Sequence, residues 1–338
     1  MIEVEIKNFT IGTLVEMMKN GAIDMAPSFQ RNANIWSAEK RSRLIESLIL
    51  GLPLPSFYFS FDMTTKKWVV IDGLQRLGAL KAFMIDKTLA LTGLEFLEEH
   101  YDKWRYDDFA FSDQLNMGML TVTANVIKGK TPKNVKYILF QRINSAGTPL
   151  NPQEIRNALN QGVASSFLLE MSAFPLFRKM VPVDSKRMTD MEYVLRFMAF
   201  TRCDYSKYKG KIELFLNDSM ALLDTLDANE LASVRRDFIS CLKLWNDVLG
   251  PAAFRNPTLN RGVSKVLFDM LMMTAYKLTD EQRNILRKRS MQFREYYVNL
   301  FGDRAFTDLL ASGTSKYPKI IQRNDMVREG ILKLCSFR

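Results

Sequence analysis

Histidine is almost missing from this sequence. A single one, His100 in "LEEHYDKW", stands among 338 residues. Histidine-rich metal sites, paired-histidine metalloproteases and nucleases combining a histidine base with further histidine ligands are therefore not assembled within this chain. His100 lies in a charged, aromatic segment and reads as a surface residue. Cysteine is nearly as scarce: Cys203, Cys241 and Cys335 are odd in number and widely spaced, so they build neither a disulfide framework nor a CxxC metal knuckle. A reducing cytoplasm fits that usage. No run of about 18 apolar residues occurs, and the start "MIEVEIKNFT" lacks a charged segment followed by an apolar one. Neither export nor membrane insertion is expected.

What is present is a chain that is 47% hydrophobic, long enough for one large or two ordinary packed domains. Its net charge of +10 favours polyanionic partners. No long Lys/Arg tract stands out, but residues 281–338 hold twelve Lys/Arg against six Asp/Glu, +6 of that +10. Arg287, Lys288, Arg289, Lys316, Lys319 and Arg323 are the candidates for a basic helical face that meets DNA phosphates without base readout. Phe293, Tyr296, Tyr297, Phe301, Phe306 and Tyr317 interleave with them and read as helix-packing core rather than stacking platforms.

Periodicity divides the chain. "MIEVEIKNF" alternates like a strand, and "TIGTLVEMMKNG" reads as a helix capped by Thr10 or Thr13 and ended by Gly21. "PSFQRN" is extended, and Ser37 opens a helix through "SAEKRSRLIESLILG". "SFYFSF" and "KWVVID" form a hairpin pattern, a helix follows from about Leu74 to Asp86, and "TVTANVI" at 121–127 is a further strand. Residues 87–120 carry no clear pattern. A helix begins near Pro132, breaks at "NSAGTP", and restarts at Asn151 with Pro152 and Glu154 in their favoured capping places. Beyond about residue 160 helical spacing dominates. The expected fold class is α+β, residues 1–160 forming an α+β domain and residues 161–338 an all-helical domain packed against it.

Three polar clusters stand at element boundaries. In "VVIDGLQRL", Asp72-Gly73-Leu74-Gln75-Arg76 joins a strand to a helix, where unpaired backbone N–H groups receive anions. Arg76 adds a fork of donors suited to phosphate, and Gln75 can reach a base, a ribose or a water. Asp72 either caps the helix or holds a divalent cation or water. In "FQRNANIW", Gln30 and Arg31 sit beside apolar neighbours, and Trp36 precedes the Ser37 cap as half of a hydrophobic staple. In "FQRINSAGTPLNPQEIRNAL", Arg142 and Asn144 end one helix while Glu154 and Arg156 begin the next, Glu154 being equally a capping-box residue.

Together, "FQRNANIWSAEKRSRLIESLILGLPLPSFYF", "WVVIDGLQRLGALKAF" and "LFQRINSAGTPLNPQEIRNAL" resemble the signature blocks of the GmrSD-type restriction endonuclease N-terminal domain family, in the ParB/sulfiredoxin-like superfamily. The family's central block reads DGQQR, and Leu74 here replaces its first glutamine. The resemblance spans roughly residues 10–160. It implies a ParB/sulfiredoxin-like domain that binds or hydrolyses a nucleoside triphosphate, with Mg²⁺ as companion ion, in systems that sense and cut foreign or modified DNA. It implies catalytic roles for Asp72, Gln75, Arg76 and Glu154, and nucleotide contacts from Gln30, Arg31, Gly73, Arg142, Asn144 and Arg156. No metal ligand set is identified. Larger members carry an HNH nuclease domain, which a single histidine does not equip, so cutting is expected from a partner nuclease subunit. The alternative is a non-catalytic module that senses a nucleotide or a DNA modification. Phosphotransfer to a small molecule or base rests on fold analogy alone. A homo-oligomer is compatible with the composition.

Overall fold

A computed structural model of the chain describes residues 4–25, 36–62, 66–127, 137–139, 150–160, 162–204, 208, 210–259 and 261–336. The chain divides into two compact units, Met1–Leu159 and Asn160–Arg338. The first is α+β and the second is helical.

The first unit is built on a five-stranded mixed sheet. Its strands are β1 (Val4–Thr10), β2 (Ile23–Asp24), β3 (Phe57–Asp62), β4 (Lys67–Asp72) and β5 (Thr121–Ile127), in the order β1-β5-β3-β4-β2. β3 and β4 form the expected antiparallel hairpin, while β5 lies parallel to β3 and antiparallel to β1. The two-residue β2, parallel to β4, is too short to leave a period-2 signal.

Helices cover this sheet. α1 (Ile11–Lys19) starts where Thr10 Oγ1 accepts the Thr13 N–H, and α2 (Ala38–Ile49) where Ser37 Oγ accepts that of Lys40. Their apolar faces, Ile11, Leu14, Val15 and Ile45, Leu48, join Phe57, Phe59, Val70 and Ile71 of the sheet in one core. α3 (Leu74–Leu80) follows β4 and continues as a π-helical turn over Lys81–Ile85.

Residues 87–120, without a pattern in sequence, are ordered by tertiary contacts. Glu46, 4% exposed, accepts the backbone N–H groups of Glu95, Phe96 and Leu97 at 3.0, 2.7 and 2.9 Å. Burial alone would raise its carboxyl pKa; these three donors, helped by Arg43, hold it below the ordinary value. α4 (Glu98–Tyr101) and α5 (Phe111–Met119) fall in this stretch. α6 (Pro152–Leu159) closes the unit with the anticipated capping box: Asn151 Oδ1 accepts from Gln153 and Glu154, and Glu154 Oε2 from the Asn151 N–H at 2.6 Å. Of the helix expected from Pro132, residues 137–139 are described and helical.

The second unit runs through α7 (Val163–Ser172), α8 (Pro175–Met180), α9 (Thr189–Arg202), α10 (Ile212–Leu223), α11 (Ala228–Leu249), α12 (Lys265–Lys277), α13 (Asp280–Lys288), α14 (Ser290–Leu300), α15 (Arg304–Ala311) and α16 (Tyr317–Ser336). Its core gathers around Trp245, whose Nε1–H donates to the Leu271 carbonyl at 2.7 Å, with Phe177, Phe197, Phe238 and Phe268. Arg196 on α9 grips Asp269 on α12 through Nε and Nη2, and Glu192 and Lys265 extend the pair into a network. No helix among the described residues is long and apolar enough to cross a membrane.

Candidate functional site

The corner after β4 is shaped before any side chain is considered. Pairing with β3 steps from Phe59 opposite Val70 to Tyr58 opposite Asp72, so Ile71 is the extra residue of a bulge. Such a bulge bends the strand and re-aims the residues after it. Gly73 then takes φ +102° and starts α3 with no side-chain cap. A Cβ there would collide with the ring of Phe57, lying 2.8 Å from its Cε1. Only glycine satisfies both the dihedral and the contact.

Arg76 is the keystone of this corner. Its guanidinium donates to the carbonyls of Pro55 and Ser56 and to Asp72 Oδ2, the last at 2.7 Å. It also stacks 4.5 Å from the centroid of Phe57. Only 8% of the residue is exposed. Burial lowers its pKa, and Asp72 acts against that fall. Arg76 therefore binds the 55–57 segment to the start of α3, a task read from sequence as phosphate binding. Asp72 serves as its ion-pair partner rather than as a cap of α3. Leu74 is buried in the core beside Leu77, so an apolar residue is the natural occupant of that position here. Gln75 Oε1 accepts the Trp36 N–H at 3.1 Å, tying the entry to α2 to the same corner.

α6 brings the second set of polar residues. It packs against β4, and its Ile155 and Ala158 share a core with Val70 and Ile71. On the same eight-residue helix Gln153, Glu154, Arg156 and Asn157 are 0 to 1% exposed. Arg156 Nε donates to Gln153 Oε1 at 2.8 Å. The Gln153 Nε2 and both amide atoms of Asn157 are buried with no hydrogen-bond partner. An apolar core does not tolerate this without cost, because each unsatisfied buried group loses its hydration without replacement. The Gln153 Nε2 and the Asn157 carboxamide, one helical turn apart, offer donors and an acceptor to a polar molecule.

Among the residues singled out from sequence, Asp72, Gly73, Gln75, Arg76, Glu154 and Arg156 thus fall on two elements that pack together, β4 with its following corner and α6. Gln30, Arg31, Arg142 and Asn144 lie outside the described residues. Gln153 and Asn157 escaped the sequence reading. The available signal was one continuous polar face, Gln153, Glu154, Arg156 and Asn157, opposite Ile155, Ala158 and Leu159, which is a surface pattern unless the polar groups have an interior task. No cluster of three or more His, Cys, Asp or Glu side chains suited to a metal occurs among the described residues.

The basic face expected near the C-terminus needs correction. Arg323 is 1% exposed and donates to the Thr314 carbonyl; with Ile320, Asn324, Val327 and Ile331 it forms the inward side of α16, where DNA has no access. Arg287 pairs with Asp247 at 3.0 Å, Arg289 donates to the Leu334 carbonyl, and Lys319 Nζ holds the carbonyls of Asp308 and Ser312. Lys288 and Lys316 are exposed, and their side chains make no hydrogen bond or ion pair among the described residues. Phe293, Tyr297 and Phe306 are core, as their spacing indicates.

Residues 11–161 match the family model for the GmrSD restriction endonuclease, N-terminal domain. No curated protein and no solved structure matches the chain.

Proposed function

We propose, from the premise that residues 11–161 belong to the GmrSD restriction endonuclease N-terminal domain family, that this unit binds a nucleoside triphosphate in DNA defence and, with Mg²⁺, hydrolyses it. The observation that supports the reading best is the buried polar face of α6, where the Gln153 Nε2 and the whole Asn157 carboxamide lack partners among the described residues. These amides suit the hydrogen-bonding edge of a base or a ribose, and they fit a polar ligand better than a structural core. The triphosphate would supply the bond to be hydrolysed, and Mg²⁺, held by phosphate oxygens with one or two carboxylates, the neutralising charge. Asp72 and Glu154 are the carboxylates at hand, and Gln75 is the residue to orient a water. Arg76 acts as a positioning residue, fixing the corner that presents the first N–H groups of α3. Gln30, Arg31, Arg142 and Asn144 belong to the same proposal through the family blocks they occupy. DNA is the partner the family relationship favours, with cutting assigned to a separate nuclease.

One observation favours a second reading, a sensing module without turnover. The Arg76 guanidinium is committed to Pro55, Ser56 and Asp72, which leaves it little capacity for a developing phosphate charge. The test is titration of the four common triphosphates with Mg²⁺, with and without DNA, alongside phosphate release. Binding with turnover supports the enzyme, and binding without turnover the sensor. Absence of binding to any triphosphate, in a protein shown to be folded, would sink both.

A further inference from the structure

The helical unit holds a cavity of about 380 Å³ where the loop after α11 meets α14. That volume lies within the usual range for small-molecule sites, about 300–1,000 Å³. Three arginines line it, Arg255, Arg261 and Arg294, and no carboxylate does. None of the three makes a salt bridge among the described residues. Arg294 Nε donates to the Val248 carbonyl, at the C-terminal end of α11, which fixes the stem of that side chain and leaves its two terminal nitrogens for other work. The Nε of Arg255 is buried without a partner.

Tyr297 completes the lining from α14. It is 2% exposed, stacked on Phe293 with 6.0 Å between centroids and edge-on to Phe301 at 5.3 Å. Its hydroxyl is buried with no hydrogen-bond partner. Burial pushes the phenol far above its ordinary pKa, so the group stays protonated and can donate. The polar side of the cavity is therefore dominated by three permanently charged arginines. Arg261 and Arg294 are exposed and Arg255 is half-buried, so the guanidinium charge is hydrated and draws anions from solution toward the cavity.

Part of the lining is an apolar wall, formed by Leu249, Pro257, Leu259 and Val298. A bare inorganic anion would use the arginines but neither the remaining volume nor this wall. We infer that this cavity is a binding site for a phosphate monoester carried on a ring-bearing body of mononucleotide size, the phosphate meeting the guanidinium groups of Arg255, Arg261 and Arg294. Planar guanidinium forks match phosphate oxygens two at a time, and the apolar wall takes the ring. The phosphate is either that of a free mononucleotide or that at the 5′ end of a nucleic-acid strand. The site is independent of the N-terminal reading, since every lining residue belongs to the helical unit.

The test is calorimetric titration of the full chain with adenosine monophosphate and with adenosine, for the wild type, Tyr297→Phe and the double variant Arg255→Gln/Arg261→Gln. Tyr297→Phe keeps the ring, its packing and all three arginines, so it serves as the control for the lining from α14. The expected result is monophosphate binding that weakens about tenfold or more in the double variant and stays close to wild type in Tyr297→Phe, with adenosine much weaker throughout. Competition by a 5′-phosphorylated oligonucleotide, but not by its unphosphorylated form, identifies a strand end as the source; absence of competition identifies the free nucleotide. Monophosphate binding of equal strength in wild type and both variants overturns the inference. So does binding that Asn157→Leu abolishes and these variants leave intact, an outcome that would keep the N-terminal reading alive.

Discussion

Replacing Asn157 by leucine separates a binding residue from a structural one. Asn157 is fully buried on α6, and neither its Nδ2 nor its Oδ1 has a hydrogen-bond partner. Burying an unsatisfied polar group costs about 1–3 kcal/mol, whereas an apolar side chain of similar shape avoids that cost and gains from the same burial. With some strain from the branched side chain offsetting the gain, Asn157→Leu is expected to stabilise the ligand-free N-terminal unit by about 2 kcal/mol. For a unit of this size that corresponds to a rise in its melting temperature of about 4–8 °C. The same change removes a donor and an acceptor from the proposed site, so triphosphate affinity is expected to fall about tenfold or more. Ile155→Ala serves as the packing control: Ile155 is 0% exposed, and its truncation is expected to cost about 2–5 kcal/mol. The assays are urea unfolding followed on the N-terminal unit and calorimetric titration with the triphosphate. A destabilised Asn157→Leu protein that binds nucleotide as tightly as wild type would refute the reasoning. It would show that the amide makes a structural hydrogen bond and that α6 is simply an interior helix.

Gly73→Ala forces a side chain onto φ +102° and against Phe57, and a loss of about 3 kcal/mol or more is expected in equilibrium unfolding; a loss under about 1 kcal/mol would mean that the corner relaxes freely. Glu46 has a folded pKa below its ordinary value of 4.5, so its stabilisation is complete above that value and disappears as pH falls through the lower folded one. Glu46→Gln is accordingly expected to cost about 1.5–3 kcal/mol at neutral pH, with the gap to wild type closing in acid; a gap independent of pH would exclude the carboxylate. Arg196→Met leaves Asp269, 2% exposed, without its guanidinium and is expected to cost about 3–5 kcal/mol. The double variant Arg196→Met/Asp269→Leu is expected to recover much of that loss, and additive losses would show that the pair is not coupled.

Local chemistry was enough for the sequence to determine many elements. Alternation in "TVTANVI" marked β5, Thr10, Ser37 and the Asn151/Glu154 box marked helix starts, and loss of β-signals marked the helical unit. Each of these depends on residues within a few positions of one another, which is the range over which periodicity and capping act. The three polar blocks were also legible, because glycine, acid, amide and arginine at a strand-to-helix junction form a short-range pattern. Their roles were not. Only the fold brings Pro55, Ser56 and Phe57 around Arg76, converting an apparent phosphate fork into a corner brace, and only packing on β4 makes the polar α6 an interior helix. In the same way Arg323, one of a run of basic residues in sequence, turns inward because α16 places it between Ile320 and Val327. Charge and hydrogen-bonding capacity reside in the side chain, but whether water, backbone or a ligand meets them is decided by neighbours distant in sequence. For that reason the element boundaries could be read along the chain, while the partner of each arginine was set by tertiary structure.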